Sequence, residues 1–422
     1  MTAGLRPVPR QSYKLNRGNM FAEWGKISSR EIVAAVNAVD DTLRALGDLA
    51  AWWRRQHAAK IVAITGSSGK TTAKEMTAAI LQMGGNTLKN PGNHNNLIGL
   101  PVTLLKLKKT HQRAVLELGM NRKGEIARLT EIANPHVGAI LNVGMAHLEG
   151  LGNIDGVAKA KTEMIENSSS GAKMVLNGDD ALLMKHAARF NRDVVTFGLA
   201  EGNNIRGMNI KNHGSDGMTF DLTFNGNTWP IHLGVSGVHN VKNGLAAAAI
   251  GFCLDESPEH IVKGLGTFSG VKGRFQNIPL ENDILLIDDT YNANPSALKA
   301  ALHSAAPLVH QEGRFIIGLG DMLELGATAV SAHREAGKNV ANSGASWFFA
   351  MGTHAEEMKK GAIAAGMSAN RIIIVETHDQ LTQKIIGNVQ PKDLIFLKGS
   401  RMMQFEKVSE GIQKHFGKRF KG

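Results

Sequence analysis

A glycine-bordered segment near residue 65 has the residue types of a phosphate-binding loop. The segment ITGSSGKTT follows the apolar run KIVAIT and precedes a helical pattern. In that context two glycines let backbone N–H groups converge on a phosphate, Lys70 reaches the terminal phosphates, and the hydroxyl of Thr71 can bind Mg²⁺. The match is partial, because Ala63 stands where the longer loop pattern has its first glycine. The residues expected at a nucleotide are Gly66, Ser67, Ser68, Gly69, Lys70, Thr71 and Thr72.

Polar residues at the ends of two later strands could complete this site. Glu117 closes the run RAVLEL, and His147 follows HVGAILNVGMA. Ligands of open α/β sheets bind at the carboxyl ends of the strands, so both side chains could reach a metal beside Lys70. Either residue taken singly fits a capping or solvated polar group equally well. The loop itself would serve an ATPase, a GTPase switch or a kinase.

Two further groups of polar residues lie on helical stretches. Lys159 and Lys161 belong to GVAKAKTEM, which by itself indicates an exposed basic helix face. Asn240 and Asn243 belong to HNVKNGLAAAA, where a polar start precedes an apolar helix. These asparagines could face a ligand or only cap the helix.

Composition limits the classes of function. The charge of the 422 residues is 48 − 37 = +11, which favours polyanionic partners such as nucleic acid, anionic lipid or nucleotides. Aromatic residues make up only 5%, which argues against base stacking, and we expect no nucleic-acid partner. The single cysteine, Cys253, excludes a disulfide within the chain and fits a reducing cytoplasm. Its apolar run is too short to cross a bilayer, and we expect no membrane insertion.

The order of apolar runs predicts an α/β protein. From Lys60 short β-rich runs alternate with helical stretches, which indicates a parallel sheet covered by helices. Period-2 runs over 205–233 around Asn225-Gly226 predict a hairpin insertion. ILLIDD, RFIIGLG, SWFFAMG, RIIIVE and DLIFLKG predict a second alternation, and a helical pattern covers 29–56. We expect a short N-terminal segment over 1–58, a central ATP-binding domain over 59–294 and a C-terminal domain over 295–422.

Taken together, the motifs resemble the Mur ligases, ATP-dependent amide-forming enzymes of peptidoglycan synthesis. The resemblance rests on TGSSGKTTAKEM, LELGMN, NVGMAHLEGLG, AKAKTE, LNGDD, GVHNVKN, KGRFQ, IDDTYNANP, LGDMLELG, HREAG and LKGSRMM. IDDTYNANP, LGDMLELG and LKGSRMM are similar to the MurF branch, the UDP-N-acetylmuramoyl-tripeptide-D-alanyl-D-alanine ligases. The resemblance implies a central P-loop ATPase-like domain and a C-terminal Rossmann-like domain that closes over it.

The resemblance also implies roles for single residues. Lys70, Lys161, His147 and Arg274 would be catalytic, with Arg274 at the phosphates. Thr71, Glu117, His147 and Lys161 would place two Mg²⁺ ions. Lys161 would be carbamylated by CO₂, with Lys159 as the alternative two residues earlier. The remaining nucleotide contacts would come from Asn240, Asp289, Tyr291 and Asn294. The residues implied around the incoming amine substrate are Asp321, Glu324, His333, Lys398, Ser400 and Arg401.

The implied reaction joins a carboxylate to an amine through an acyl phosphate. Its substrates would be UDP-MurNAc-peptide and D-alanyl-D-alanine, used by a cytoplasmic monomer. The N-terminal segment is shorter than the UDP-binding domain of the family, so either part of that domain is lost or the substrate lacks the full UDP-MurNAc group. The alternatives are a ligase of the same fold acting on a different carboxylate, and a non-catalytic nucleotide- or nucleic-acid-binding protein.

Overall fold

Two α/β units follow one another along the chain in a computed structural model that describes residues 39–417. The first unit is built on one sheet over 60–233 and the second on another over 276–398. This arrangement confirms the expected α/β class with parallel-sheet domains. The helical pattern expected over 29–56 corresponds to a helix at Thr42–Arg55, and most of the expected N-terminal segment, residues 1–38, lies outside the described residues.

The described residues form fourteen α-helices, with short 3₁₀ turns between some of them. In chain order they are α1 (Thr42–Arg55), α2 (Lys70–Gly84), α3 (Gly99–Leu104), α4 (Glu125–Ala133), α5 (Leu148–Leu151), α6 (Ile154–Asn167), α7 (Ala181–Ala187), α8 (Val238–Cys253), α9 (Pro258–Gly266), α10 (Pro295–Ala305), α11 (Ala329–Asn342), α12 (Ala355–Ala364), α13 (His378–Ile386) and α14 (Glu406–Phe416). None of the helices within residues 39–417 has the length and apolar character needed to cross a membrane.

The first sheet is parallel except at one end. Its strands are β1 (Lys60–Thr65), β2 (Thr87–Lys89), β3 (Arg113–Glu117), β4 (Val137–Ile140), β5 (Lys173–Asn177), β6 (Val194–Gly198), β7 (Ile205–Asn212), β8 (Met218–Phe224) and β9 (Asn227–Leu233). Their spatial order is β2-β3-β1-β4-β5-β6-β7-β8-β9, and only the β7-β8 and β8-β9 pairs are antiparallel. The expected hairpin around Asn225-Gly226 is therefore present.

Helices cover both faces of this sheet. Five of the six residues of β1 are buried, which explains why its sequence is a continuous apolar run. One apolar core packs α2, α8 and α9 against the sheet, and the other packs α1, α4, α6 and α7 against the opposite face. Because β1 lies between β3 and β4, the loops that follow these three strands meet at the same edge.

The second sheet has one antiparallel edge strand. Its strands are β10 (Gln276–Pro279), β11 (Leu285–Asp289), β12 (Phe315–Gly320), β13 (Trp347–Met351), β14 (Ile372–Val375) and β15 (Leu394–Lys398), in the order β10-β11-β15-β12-β13-β14. All neighbours except β10 and β11 are parallel. Helices α10, α11 and α12 cover one face, and α13 and α14 cover the other.

The pairing of β11 bears on the domain boundary. A division near residue 294 would assign ILLIDD to the central domain, but β11 pairs with β15 along its whole length. Strand β10 pairs with β11 and so belongs to the same sheet. We therefore propose that the division lies between α9 and β10, about twenty residues before the position that the sequence suggested.

Candidate active site

A cavity of about 760 Å³ lies where the two units meet. Its walls include the phosphate loop, the ends of β3 and β4, and the start of α8 from the first unit. The second unit contributes the loops after β11, β12 and β15. Carboxyl ends of strands from both sheets therefore face one cavity, which is where α/β proteins place ligands.

The phosphate loop has the conformation that its sequence predicts. Gly69 has φ 79°, in the left-handed region, and a Cβ there would lie 2.3 Å from the side-chain oxygen of Asn243. The next residue, Lys70, begins α2 and donates from Nζ to the carbonyl of Gly66 at 2.8 Å. Burial lowers the pKa of Lys70, with a further contribution from Arg274 against the opposing effect of Glu117.

Asn142 holds the phosphate loop from the neighbouring strand end. Its Oδ1 accepts from the backbone N–H groups of Ser67 at 3.1 Å and Ser68 at 3.0 Å, and its Nδ2 donates to the carbonyl of Ser68 at 3.1 Å. The hydroxyl of Ser67 donates to Gly144 O at 3.0 Å. The loop is thus fixed by the segment after β4 as well as by its own glycines.

Glu117 is fixed at both its carboxylate and its backbone. The hydroxyl of Thr71 donates to one carboxylate oxygen at 2.9 Å, and Nδ2 of Asn95 donates to the other at 2.7 Å. The side chain of Asn90 accepts from the Glu117 N–H at 2.9 Å and donates to its carbonyl at 3.1 Å. The backbone carbonyl of Asn90 in turn accepts from Nζ of the buried Lys74 at 2.8 Å. The carboxylate therefore lies beside Thr71, as the strand-end position predicted.

Arg274 reaches the phosphate loop from the segment between the two sheets. Its Nη2 donates to the Thr71 hydroxyl at 3.2 Å, and its guanidinium carbon lies 3.8 Å from the ring centroid of Tyr291. Arg401 lies 5.7 Å from the same centroid. Burial raises the pKa of Tyr291, so its hydroxyl stays protonated at neutral pH. The Tyr291 ring thus holds Arg274, which lies outside the first sheet, against the phosphate loop.

The two lysines of AKAKTE differ sharply in their surroundings. The side chain of Lys159 is 57% exposed and pairs with Asp155 at 2.9 Å. Lys161 is 1% exposed, and burial together with the nearby charge of Lys70 lowers its pKa well below the usual 10.5. Burial therefore disfavours the protonated form of Lys161, whereas Lys159 lies at the surface beside a carboxylate.

His147 connects the first unit to the second. Its Nδ1 lies 2.7 Å from a carboxylate oxygen of Glu324, and this hydrogen bond lowers the pKa of Glu324. Both residues have left-handed backbones, with φ 56° for His147 and 62° for Glu324. Such values are uncommon outside glycine. Both residues line the cavity, and in this structure they bind each other.

Asp289 and Lys398 form a buried ion pair at the base of the cavity. Nζ of Lys398 lies 2.5 Å from the Asp289 carboxylate and also donates to Asn292 O at 2.8 Å. The other Asp289 oxygen accepts from the N–H of Phe275 at 3.2 Å. The resemblance gave these two residues separate roles at the nucleotide and at the amine substrate, whereas in the structure they bind each other directly.

The asparagines implied at the nucleotide all line the cavity, with different local bonds. Asn240 donates to Ser236 O at 2.8 Å, and Asn243 donates to Asn240 at 3.4 Å. Neither is the N-cap of α8, which is Gly237. Asn294 caps α10 by accepting from the N–H of Ala297 at 2.8 Å.

The residues expected around the amine substrate separate into two groups. Glu324, Lys398, Ser400 and Arg401 line the cavity, but Asp321 and His333 do not. The carboxylate of Asp321 accepts from the N–H groups of Thr353 and His354, and Nε2 of His333 accepts from the N–H of Met322 at 2.9 Å. Both side chains are nearly inaccessible, at 3% and 0%. In this structure they support the loop that carries Glu324.

The residues at the loop are suited to magnesium bound together with phosphates. Within residues 39–417 no group of three or more His, Cys, Asp and Glu side chains is placed to hold a metal alone. Mg²⁺ usually takes one or two carboxylates and completes its coordination with phosphates and water. The Glu117 carboxylate and the Thr71 hydroxyl, 2.9 Å apart, are hard oxygen ligands of this kind.

Three asparagines of the site escaped the sequence analysis. Asn90, Asn95 and Asn142 contact Glu117 or the phosphate loop, yet none was singled out. Their position in the sequence could have identified two of them, because Asn90 directly follows β2 and Asn142 lies two residues after the end of β4. Asparagine at a strand end can satisfy both a donor and an acceptor of a neighbouring backbone.

Comparisons with known proteins agree along most of the chain. The Mur ligase middle domain matches residues 64–251, and the Mur ligase, glutamate ligase domain matches residues 273–401. A UDP-N-acetylmuramoyl-tripeptide-D-alanyl-D-alanine ligase of Escherichia coli strain K12 is 35% identical over 381 residues, 89% of this chain and 82% of that protein. The crystal structure of a MurF from Acinetobacter baumannii aligns with TM-score 0.80 at 36% identity, covering 89% of this chain and 81% of that one. MurF ligase from Thermotoga maritima in complex with ADP aligns with TM-score 0.80 at 28% identity, covering 89% and 84%.

Proposed function

The chain belongs to the Mur ligase family, and from this premise we propose that it joins D-alanyl-D-alanine to UDP-N-acetylmuramoyl-tripeptide at the expense of ATP. The observation that carries the proposal is the meeting of Lys70, Thr71, Glu117 and Arg274 at one end of a cavity between the two units. Lys70 and Arg274 can neutralise a triphosphate, and Thr71 and Glu117 can hold its Mg²⁺. The rest of the cavity leaves room for an acid and an amine substrate.

The reaction needs an activated carboxylate, because a carboxylate is a poor acyl donor at neutral pH. A substrate oxygen attacks the γ-phosphorus of ATP, the bond to the β-γ bridging oxygen breaks, and an acyl phosphate and ADP form. The amine then attacks the acyl carbon, loses a proton, and phosphate leaves the tetrahedral intermediate. Lys70 and Arg274 neutralise the charge of the transferring group, which is the main contribution a protein makes to phosphoryl transfer.

Magnesium would supply further charge neutralisation at the phosphates when bound. We infer that Thr71 and Glu117 hold it, with His147, which lines the cavity, and the buried Lys161, which does not, serving the second of two sites. Asn95 and Asn90 fix the carboxylate and the backbone of Glu117, so this ligand is oriented before any metal arrives. Because Nδ1 of His147 bonds Glu324, Nε2 is the nitrogen that would hold a metal.

Lys161 is the residue that we propose to be carbamylated. Attack on CO₂ requires a neutral amine, and burial with the nearby Lys70 lowers the pKa of Lys161 in that direction. The nitrogen forms a bond to the carbon of CO₂ and releases a proton, which turns a buried amine into a carbamate whose oxygens could serve as ligands. Lys159 is a poor candidate, since it is largely exposed and paired with Asp155.

The remaining cavity residues have proposed roles in substrate binding. The nucleotide would contact Asn240, Asp289, Tyr291 and Asn294, and the amine substrate would contact Glu324, Ser400 and Arg401. Lys398 would act through Asp289, and Asp321 and His333 through the loop that carries Glu324. Burial between the units would also keep water from the acyl phosphate.

Substrate omission tests the proposal. ADP release is measured with UDP-MurNAc-tripeptide and D-alanyl-D-alanine in Mg²⁺ and bicarbonate, and again without each substrate. We expect turnover only with both, and a product whose mass is the sum of the two substrates less one water. Lys70→Met should be inactive and Lys159→Ala active. ADP release with a different carboxylate but not with this one would establish the alternative substrate, and no turnover with any acid and amine would refute the ligase.

A further inference from the structure

Most of the net charge of the chain lies in one stretch of sequence. Residues 49–116 contain ten Lys and Arg but only one acidic residue, Glu75, so this stretch carries 10 − 1 = +9 of the net +11. Lys70 belongs to the cavity, while Lys74, Lys89 and Arg113 have acidic partners. The other six cations are Arg54, Arg55, Lys60, Lys106, Lys108 and Lys109.

These six cations, which we name the basic face, are brought together by three adjacent segments. They lie at the end of α1, at the start of β1 and in the loop between α3 and β3. The indole of Trp53 donates to Leu107 O at 3.2 Å, and the N–H of Lys60 donates to Gln112 O at 2.9 Å, which joins the segments. None of the six forms an ion pair with any of the residues that the structure describes, 39–417.

Neighbouring titratable groups respond to this concentration of charge. The pKa of His111 is lowered by burial and then by Lys108, and that of His136 by burial and then by Lys60 and Arg54. The pKa of Arg54 itself is lowered by burial and by Arg55. Arg54 and Arg55 therefore lie close enough to repel each other, a cost that a polyanionic surface would reduce.

The basic face lies at the edge of the sheet away from the cavity. Lys60 is the first residue of β1, and the phosphate loop follows the last, so about 20 Å of strand separates the two. Docking at this face would leave the cavity open to its substrates.

We propose that the basic face docks the protein on an anionic lipid bilayer. Four of the six cations are lysines, which act as mobile point charges and suit a fluid surface better than a base-specific or bidentate site. Nucleic acid is less suited, because its non-specific binders add aromatic side chains on which bases stack, and this chain has only 5% aromatic residues. Trp52, half-buried at the same end of α1, is of the residue type that favours the headgroup region.

Vesicle flotation with the full chain tests the proposal. We compare vesicles of phosphatidylcholine alone with vesicles that also contain phosphatidylglycerol, at low and high salt. The wild type should float only with the anionic vesicles and only at low salt. The variant K106E/K108E/K109E should lose at least about tenfold in partition coefficient. A matched control, K384E/K407E/K414E, makes the same change in net charge at exposed lysines of the second unit and should bind like the wild type.

The outcomes separate a defined face from total charge. Equal losses in both triple variants, or wild-type binding to a fluorescent oligouridylate but not to anionic vesicles, would overturn the proposal. Thermal unfolding and ATP turnover in solution should match the wild type in both variants. If the glutamate variant unfolds, K106Q/K108Q/K109Q replaces it. Vesicle binding by this glutamine variant that depends on salt as steeply as that of the wild type would contradict the assignment of binding to the basic face.

Discussion

Replacing Lys161 by methionine should stabilise the protein and abolish ligation at the same time. Lys161 is 1% exposed, and both its burial and the charge of Lys70 disfavour its protonated form. Methionine keeps an unbranched apolar side chain of similar length in the same space. Replacing buried charged groups by apolar side chains often stabilises a folded protein by about 1–4 kcal/mol. We expect an increase of this size in the free energy of unfolding of Lys161→Met at neutral pH.

The gain in stability should depend on pH with a defined sign. The folded-state pKa of Lys161 is lowered from the unfolded value of 10.5. Between those two values the unfolded state holds the additional proton, so the stability of the wild type rises with pH up to about 10.5. The penalty that methionine removes is therefore complete below the folded-state pKa and absent above the unfolded one. The advantage of Lys161→Met should therefore never grow as pH rises, and it should shrink from neutral pH toward pH 10.

Urea unfolding in CO₂-free buffer without Mg²⁺ or nucleotide measures this effect, and ADP release measures ligation. Lys159→Met is the matched control, because that side chain is 57% exposed and pairs at the surface. It should change the unfolding free energy by less than about 0.5 kcal/mol and leave turnover in place. A destabilised Lys161→Met protein, a gain that does not vary with pH, or retained ligation in that variant would refute the reasoning.

Substitutions at three further positions test the residues that support the site. Tyr291→Leu should lower kcat about tenfold by releasing Arg274, whereas Tyr291→Phe should keep most of it, because the ring face provides the contact; steady-state kinetics of both variants decide this. Asn142→Ala should raise KM for ATP at least about tenfold, since two loop N–H groups lose their acceptor, and nucleotide titration measures it. Asn90→Ala should lower the unfolding free energy by about 2–4 kcal/mol, because it strands the buried backbone N–H and carbonyl of Glu117, and urea unfolding should show this loss with Mg²⁺ absent.

The sequence was sufficient for the elements but not for their partners. Apolar runs such as KIVAIT and RAVLEL predicted buried parallel strands, and those strands are present as β1 and β3. The assignment of ILLIDD to the first unit was a different kind of inference. Its partner strand β15 lies more than one hundred residues later in the chain. The hydrophobic pattern of a strand shows that the strand is buried, but it does not show which strand pairs with it.

The candidate site shows the same difference between local features, which the sequence predicts, and contacts between distant residues, which it does not. Residues fixed by local geometry, such as Gly69 and Lys70, lie where their spacing predicts. Two lysines separated by two positions on a helix point to different sides, and the sequence alone did not say which side is buried. Asp321 and His333 belong to motifs of the family, but motif membership does not distinguish a residue that lines a cavity from one that supports a loop behind it.

The position of Thr71 suggests how charge neutralisation depends on the meeting of the two units. Its hydroxyl lies between the carboxylate of Glu117, from the first sheet, and the guanidinium of Arg274, from the segment that leads to the second. Tyr291, which packs on that guanidinium, follows the second sheet's strand β11. If the second unit moves away, Tyr291 moves with it and Arg274 loses its support beside Thr71. Phosphoryl transfer would then proceed well only while the units are together, which is also the state in which the acyl phosphate is shielded from water.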